Sequence, residues 1–175
     1  KFIFLFEENG EFTEQAFYNE NGIRDYVAEV AGTSALTQPV FWHLETQGRD
    51  REDKPVYRLK PDISFCVSQT VTMLEYYHNA SFLEHGGSPD RAVRVAFVYA
   101  IDKYLKSAGK YNKNESKITF ADIADCLVLV ISSNSTITSY ENQTKKAITN
   151  AFIYEALTDF IKKNLEIYFT ENPTE

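Results

Sequence analysis

Between Ser88 and Gly109 the spacing of apolar residues leaves little choice of local structure. Val93, Ala96, Phe97, Ala100, Ile101, Tyr104 and Leu105 fall at offsets 0, 3, 4, 7, 8, 11 and 12, which is one face of an α-helix. Ser88-Pro89-Asp90 opens it with a capping serine, a proline at the first helical position and an aspartate at the positive helix end. Gly109 stops it. A stripe of this width suits a helix lying across a sheet, so the chain needs strands to receive it.

Those strands are legible on both sides. Residues 2–7 and 11–17 flank Glu8-Asn9-Gly10, a turn signal that predicts a hairpin. A short helix follows, with Ile23, Tyr26, Val27 and Val30 on one face and Gly32 as its stop. Residues 40–45, 56–59, 63–68 and 71–77 read as strands, with Ile63, Phe65 and Val67 alternating toward one buried face. The charged run Arg49-Asp50-Arg51-Glu52-Asp53-Lys54 reads as a solvated hairpin loop. Phe120 to Asp125 predicts a turn of helix, and Cys126 to Ile131 an apolar strand. A long helix is expected over 145–170, buried through Ile153, Leu157, Phe160, Ile161, Leu165 and Tyr168 and roughly 35–40 Å long. Strands interleaved with helices, behind an antiparallel hairpin, predict an α+β two-layer sandwich with a mixed or antiparallel sheet.

At 175 residues the chain is one domain, or one domain with appendages. It opens on Lys1 without a methionine, already in a strand pattern, and is expected to be a piece of a longer protein. Its net charge of -7 offers nucleic acid no general attraction, so any DNA contact must come from a local basic patch or a partner domain. Cys66 and Cys126 lie in apolar runs without metal spacing and read as reduced core residues of a cytosolic protein. His43, His78 and His85 are too scattered for a metal site. Gly86-Gly87-Ser88 lacks the Gly-Lys-Ser/Thr of a phosphate loop and reads as a turn. No apolar run reaches the ~18 residues that cross a bilayer.

The polar triplet Gln143-Thr144-Lys145 stands between the 126–131 strand and the last helix, which closes on Glu171-Asn172-Pro173-Thr174. A lysine on such a tip suits a cation that must reach a phosphate on a neighbouring domain, with Lys146 as the competing cation. This order of strand, Gln-Thr-Lys loop, helix and Glu-Asn-Pro-Thr resembles the transducer domain of the type IIA DNA topoisomerase B subunit, as in DNA gyrase and topoisomerase IV. The likeness extends to Asn21-Gly22-Ile23-Arg24-Asp25-Tyr26-Val27, which is similar to the family's first transducer helix. Glu75-Tyr76-Tyr77-His78-Asn79 with Gly86-Gly87-Ser88 resembles its strand, Asn-rich loop and Gly-Gly-Thr-His turn. Ala92-Val93-Arg94 stands where the family has Gly-Phe-Arg. Ser88-Pro89 in place of Thr-His, and Arg91-Ala92 without a glycine, depart from that pattern.

The resemblance implies a single transducer domain over 1–175, a ribosomal-protein-like fold with a left-handed βαβ crossover. It makes Lys145 a catalytic residue that touches the γ-phosphate of ATP, held with Mg in an adjacent GHKL-type ATPase domain, and it sets Gln143 beside that nucleotide. It places Arg94, with Arg91, on the wall that DNA passes along. The implied partners are that ATPase domain, the DNA-cleavage module of the same chain, the A subunit and a DNA duplex, with no membrane, in the cytoplasm. The glutamate base and Gly-rich lid of such an ATPase are missing, so this stretch alone is expected not to hydrolyse ATP. Two other readings stay open: a non-catalytic α+β binding module, and the second domain of another GHKL ATPase of the MutL or heat-shock chaperone groups. Gyrase and topoisomerase IV are likewise not separated.

Overall fold

The computed structural model describes residues 2–173, so Lys1 and the Thr174 of the closing motif lie outside the described residues. The elements are β1 (Phe2–Glu8), β2 (Glu11–Phe17), α1 (Ile23–Ala31), β3 (Val40–His43), β4 (Thr46–Gly48), β5 (Tyr57–Val67), β6 (Met73–His78), β7 (Ser81–Phe82), α2 (Ser88–Ser107), α3 (Phe120–Ala124), β8 (Leu127–Ser135) and α4 (Ala151–Glu171). β1 and β2 form a hairpin of their own. Asn9 and Gly10 turn it with φ of 54° and 83°, the left-handed pair that matches the twist of the flanking strands. The main sheet runs β3-β5-β8-β6-β7, with β4 also on β5. Among the described strands, β6 and β8 alone pair in parallel. α2 and α3 make the crossover between them, as parallel neighbours require.

Strand alternation sorts the core. Leu59, Ile63, Phe65, Leu127, Leu129 and Ile131 point to the face that α2 and α4 cover, against Val93, Phe97, Ile153, Leu157, Ile161 and Leu165. Each fully buried side chain of this kind contributes about 1.5–3 kcal/mol, so this layer dominates the stability. Cys66, Val128 and Val130 point to the other face, where α1 brings Val27 and Ala31. The architecture is α+β, with α2 and α4 as the helical layer and α1 adding partial cover behind the sheet.

Three local expectations change. The two strands expected over 56–59 and 63–68 merge into a single strand, β5 (Tyr57–Val67), which runs through Pro61. Pro61 accepts from the Leu44 amide at 3.1 Å but has no N–H to return, so the outer edge splits into β3 and β4 while pairing to β8 continues. Ser88 does not cap α2: Gly87 holds that position, and the Ser88 hydroxyl donates instead to the Asn150 carbonyl at 2.8 Å. The last helix starts at Ala151 and not at 145. Lys145 has φ of 57°, which a helix cannot contain, and Ile148 is bridged to Tyr140 and Gly87. At 21 residues α4 is roughly 31 Å long.

Candidate functional site

Gln143, Thr144 and Lys145 are exposed at the tip of a narrow excursion between β8 and α4. The Thr149 amide donates to the Ser139 carbonyl at 2.8 Å, and the Glu141 amide to the Ala147 carbonyl at 3.0 Å. At the tip the Lys145 amide closes a turn onto the Asn142 carbonyl at 3.2 Å. The Asn142 carboxamide oxygen accepts from the Thr144 amide at 3.1 Å and from the Thr144 hydroxyl. Asparagine is suited to fixing such a turn with its own side chain. The excursion is thus an ordered arm presenting a short polar tip.

Its inner side is anchored to the β7–α2 connection. Ile148 is fully buried, its carbonyl accepts the Ser88 amide at 2.8 Å, and the Lys146 carbonyl accepts the His85 amide at 2.9 Å. The two lysines then part in role. Lys146 forms an ion pair with Glu84, and its ammonium holds the Glu84 carboxyl below the usual carboxylate range. Lys145 has no ion-pair partner among the described residues; its ammonium lies 5.5 Å from the centre of the Tyr140 ring.

Two buried polar clusters hold the base of the arm. In the first, Asn150 is 1% exposed. Its side-chain oxygen accepts the Ser139 amide at 2.8 Å. Its side-chain nitrogen donates to Asp50 Oδ2 at 3.0 Å and to the Tyr57 hydroxyl at 3.1 Å. Asp50 Oδ1 accepts from the Tyr57 hydroxyl at 2.8 Å and from the Phe152 amide at 2.9 Å. Asp50 therefore turns inward from the charged run, which is otherwise the expected solvated link between β4 and β5.

In the second cluster, fully buried His78 meets Ser133 through Nδ1 at 2.8 Å. Its Nε2 meets Ser135 at 3.0 Å and Thr138 at 2.9 Å. The Ser133 hydroxyl donates to the Tyr77 carbonyl at 3.1 Å, and that of Ser135 to Ile137 at 2.7 Å. This order assigns the proton to Nδ1 and makes Nε2 the acceptor of the Thr138 hydroxyl. Burial pushes the imidazole down to about 4. The unfolded chain, near the usual 6.5, takes up the proton first, so stability is full above that pH and falls as pH drops toward 4. Urea unfolding is expected to show a loss of about 2 kcal/mol from this group between pH 7 and pH 5. His78→Gln removes that slope, and an unchanged slope would contradict the assignment.

Arg91 and Arg94 are elsewhere, on the exposed side of α2. Arg94 donates through Nε to Asp90 at 2.7 Å and its guanidinium lies 4.5 Å from the centre of the Phe120 ring. Arg91 lies 5.3 Å from the Tyr154 ring centre. Gln143 and Lys145 thus share one tip, while both arginines pack against their own domain.

The DNA gyrase B family model matches residues 22–175. The chain belongs to this family. DNA gyrase B from Spiroplasma citri is 29% identical over 171 residues, covering 97% of this chain and 26% of its own length. The Campylobacter jejuni gyrase B is 23% identical over 177 residues, with 100% and 22% coverage. The chain thus spans about a quarter of the length of these relatives. Among solved structures, the 43K ATPase domain of Thermus thermophilus gyrase B, in complex with an aminocoumarin, aligns with a TM-score of 0.74 at 19% identity, over 97% of this chain and 43% of that one. The topoisomerase IV ATP-binding domain of Francisella tularensis, in complex with a small-molecule inhibitor, aligns with a TM-score of 0.70 at 21% identity, over 93% and 41%. Both carry the fold of this chain. Among the described residues, no helix is long and apolar enough to cross a membrane.

Asp50 and Asn150 support the site without being singled out by the sequence. Asn150 has a usable signal, an asparagine directly before the apolar periodicity of α4. Asp50 has none, because its partner Asn150 lies 100 residues away.

Proposed function

We propose that this chain is the transducer domain of an ATP-dependent type II DNA topoisomerase B subunit, in which Lys145 senses the γ-phosphate of ATP held in an adjacent GHKL ATPase domain. The observation that carries this reading is the contrast between the two tip lysines: Lys146 is neutralised by Glu84, whereas Lys145 is exposed and has no carboxylate partner among the described residues. An unpaired ammonium on a braced arm fits the phosphate end of a nucleotide, and Gln143 adds a carboxamide beside it. ATP, with Mg, supplies the phosphoryl-transfer chemistry when bound by the ATPase domain. Lys145 meets the negative charge on the transferring oxygens, and the chain alone does not turn ATP over.

The arm joins α4 directly, so a shift of the tip is passed to a rigid helix and through it toward the DNA-cleavage module. The β1–β2 hairpin supports the presence of a neighbour: Ile3, Leu5, Phe6, Phe12 and Phe17 are all at least half exposed, a density of apolar side chains that a domain surface covers. We assign that cover to the ATPase domain. The A subunit and the DNA duplex complete the cytoplasmic assembly, with the DNA facing Arg91 and Arg94 on α2, where Arg94 shares its charge with Asp90.

The test is a paired substitution in the full-length protein. Lys145→Ala is expected to lower ATP turnover and ATP-dependent DNA relaxation, while Lys146→Ala leaves both within about threefold, since it removes only an exposed ion pair. Equal effects of the two substitutions, or none from the first, would refute the assignment.

A further inference from the structure

The geometry points to Asp50 as a positioning residue for Lys145, acting through Asn150 from the far side of the sequence. This rests on the reading of Lys145 given above. Helix α4 begins in an unusual way: Asn150 occupies the N-cap position yet its side chain makes no capping bond, and no acidic residue lies in the first turn. The Phe152 amide, one of the donors that a helix start leaves without an internal partner, is taken by Asp50 Oδ1 at 2.9 Å. Asp50 is thus the cap of α4, supplied from the β4–β5 connection, and its charge sits at the positive end of the helix.

The consequence lies in what Asn150 is free to do. Asparagine at this position ordinarily turns onto the second or third helical amide. With Asp50 in that place, the Asn150 side chain points back and accepts the Ser139 amide at 2.8 Å, while both its N–H groups are held by Asp50 and Tyr57 at 3.0 and 3.1 Å. One side chain therefore ties the first residue of the arm to the start of α4, with Lys145 at the tip between them. Removing the Asp50 carboxylate lets Asn150 rotate and cap the helix itself. The helix keeps a cap and Ser139 loses its brace. Stability then changes little, but the arm loses the brace at its first residue while its inner anchor to Ser88 and His85 stays, and a small displacement of a catalytic cation lowers turnover strongly.

The experiment measures ATP turnover and thermal unfolding of the full-length protein carrying Asp50→Ala, Asp50→Asn, Asn150→Asp or the exchange Asp50→Asn with Asn150→Asp. Asp50→Ala is expected to lower kcat about 10-fold or more with KM within about twofold, since nucleotide binding belongs mainly to the ATPase domain. In Asp50→Asn neither amide orientation serves both Asn150 and Phe152, and in Asn150→Asp two carboxylates face each other, so both also lose turnover. The exchange restores a donor facing an acceptor and is expected to recover at least about half of the rate. Asp50→Ala added to Lys145→Ala is expected to cost nothing further. Wild-type kcat in the single variants, no recovery in the exchange, or an additive loss in the double variant would overturn the proposal. An inert Lys145→Ala would instead refute the reading of Lys145 on which it rests.

Discussion

Lys145→Ala in the full-length protein is expected to lower the rate of ATP hydrolysis by about 10²–10³-fold while leaving the fold intact. The magnitude follows from what the ammonium does. One preorganised donor aimed at charge that develops in a transition state is worth about 10²–10³ in rate, and a dedicated cation on a transferring phosphoryl group can exceed that. Folding is spared because the side chain is exposed and gives up only its contact with the Tyr140 ring, worth about 0.5–1 kcal/mol. The backbone does not discriminate either: at φ of 57° lysine and alanine carry a similar left-handed cost. Lys145→Arg keeps the charge but replaces a compact point donor with a wider planar fork, so an intermediate rate is expected. Steady-state ATPase measurements beside thermal unfolding check all of this. A turnover within threefold of wild type, with the same melting temperature, would remove Lys145 from the mechanism.

How much of this was legible in the sequence depends on the range of the interactions involved. The α2 stripe, the apolar β8 and the Asn9-Gly10 turn are local patterns, and each appears in the structure close to where periodicity and turn chemistry put it. The expected break between the strands at 56–59 and 63–68 spans Pro61, and a proline ordinarily interrupts a strand. In the fold its missing donor faces a loosely paired edge, where only β3 and β4 notice the loss. The start of α4 misled for a different reason. Nothing between Lys145 and Asn150 is hostile to a helix, and the segment is held out of one by Ile148 bridging to Gly87 and Tyr140. The tip itself was readable as a lysine between two patterned elements. What distinguishes Lys145 from Lys146 was not, since Glu84 lies more than 60 residues upstream. The braces of the site are long-range polar contacts, and hydrophobic periodicity carries no trace of them.

Gly87→Ala should be among the most destabilising single-methyl additions in this chain, at about 4 kcal/mol. Gly87 has φ of 85° and ψ of -130°, a region that costs an L-residue about 1–3 kcal/mol. A Cβ there would stand 2.2 Å from the Ile148 carbonyl oxygen and 2.7 Å from its nitrogen. Those are backbone atoms of a fully buried residue, so they yield only by breaking the Gly87–Ile148 bridge and the bond from the Ser88 amide. That bond is worth about 1 kcal/mol, and partial exposure of the isoleucine adds about as much. Gly10→Ala is the control. Its φ of 83° is nearly the same, but nothing lies within 4 Å of the added methyl, so only the conformational cost of about 1 kcal/mol remains. Urea unfolding of the two variants separates steric exclusion from backbone preference, and equal losses would show that Ile148 does not press on Gly87. In the full-length protein the same substitution displaces the inner anchor of the arm three residues from Lys145. ATP turnover is therefore expected to fall even where the folded population is restored by lower temperature, a deficit that Gly10→Ala does not share.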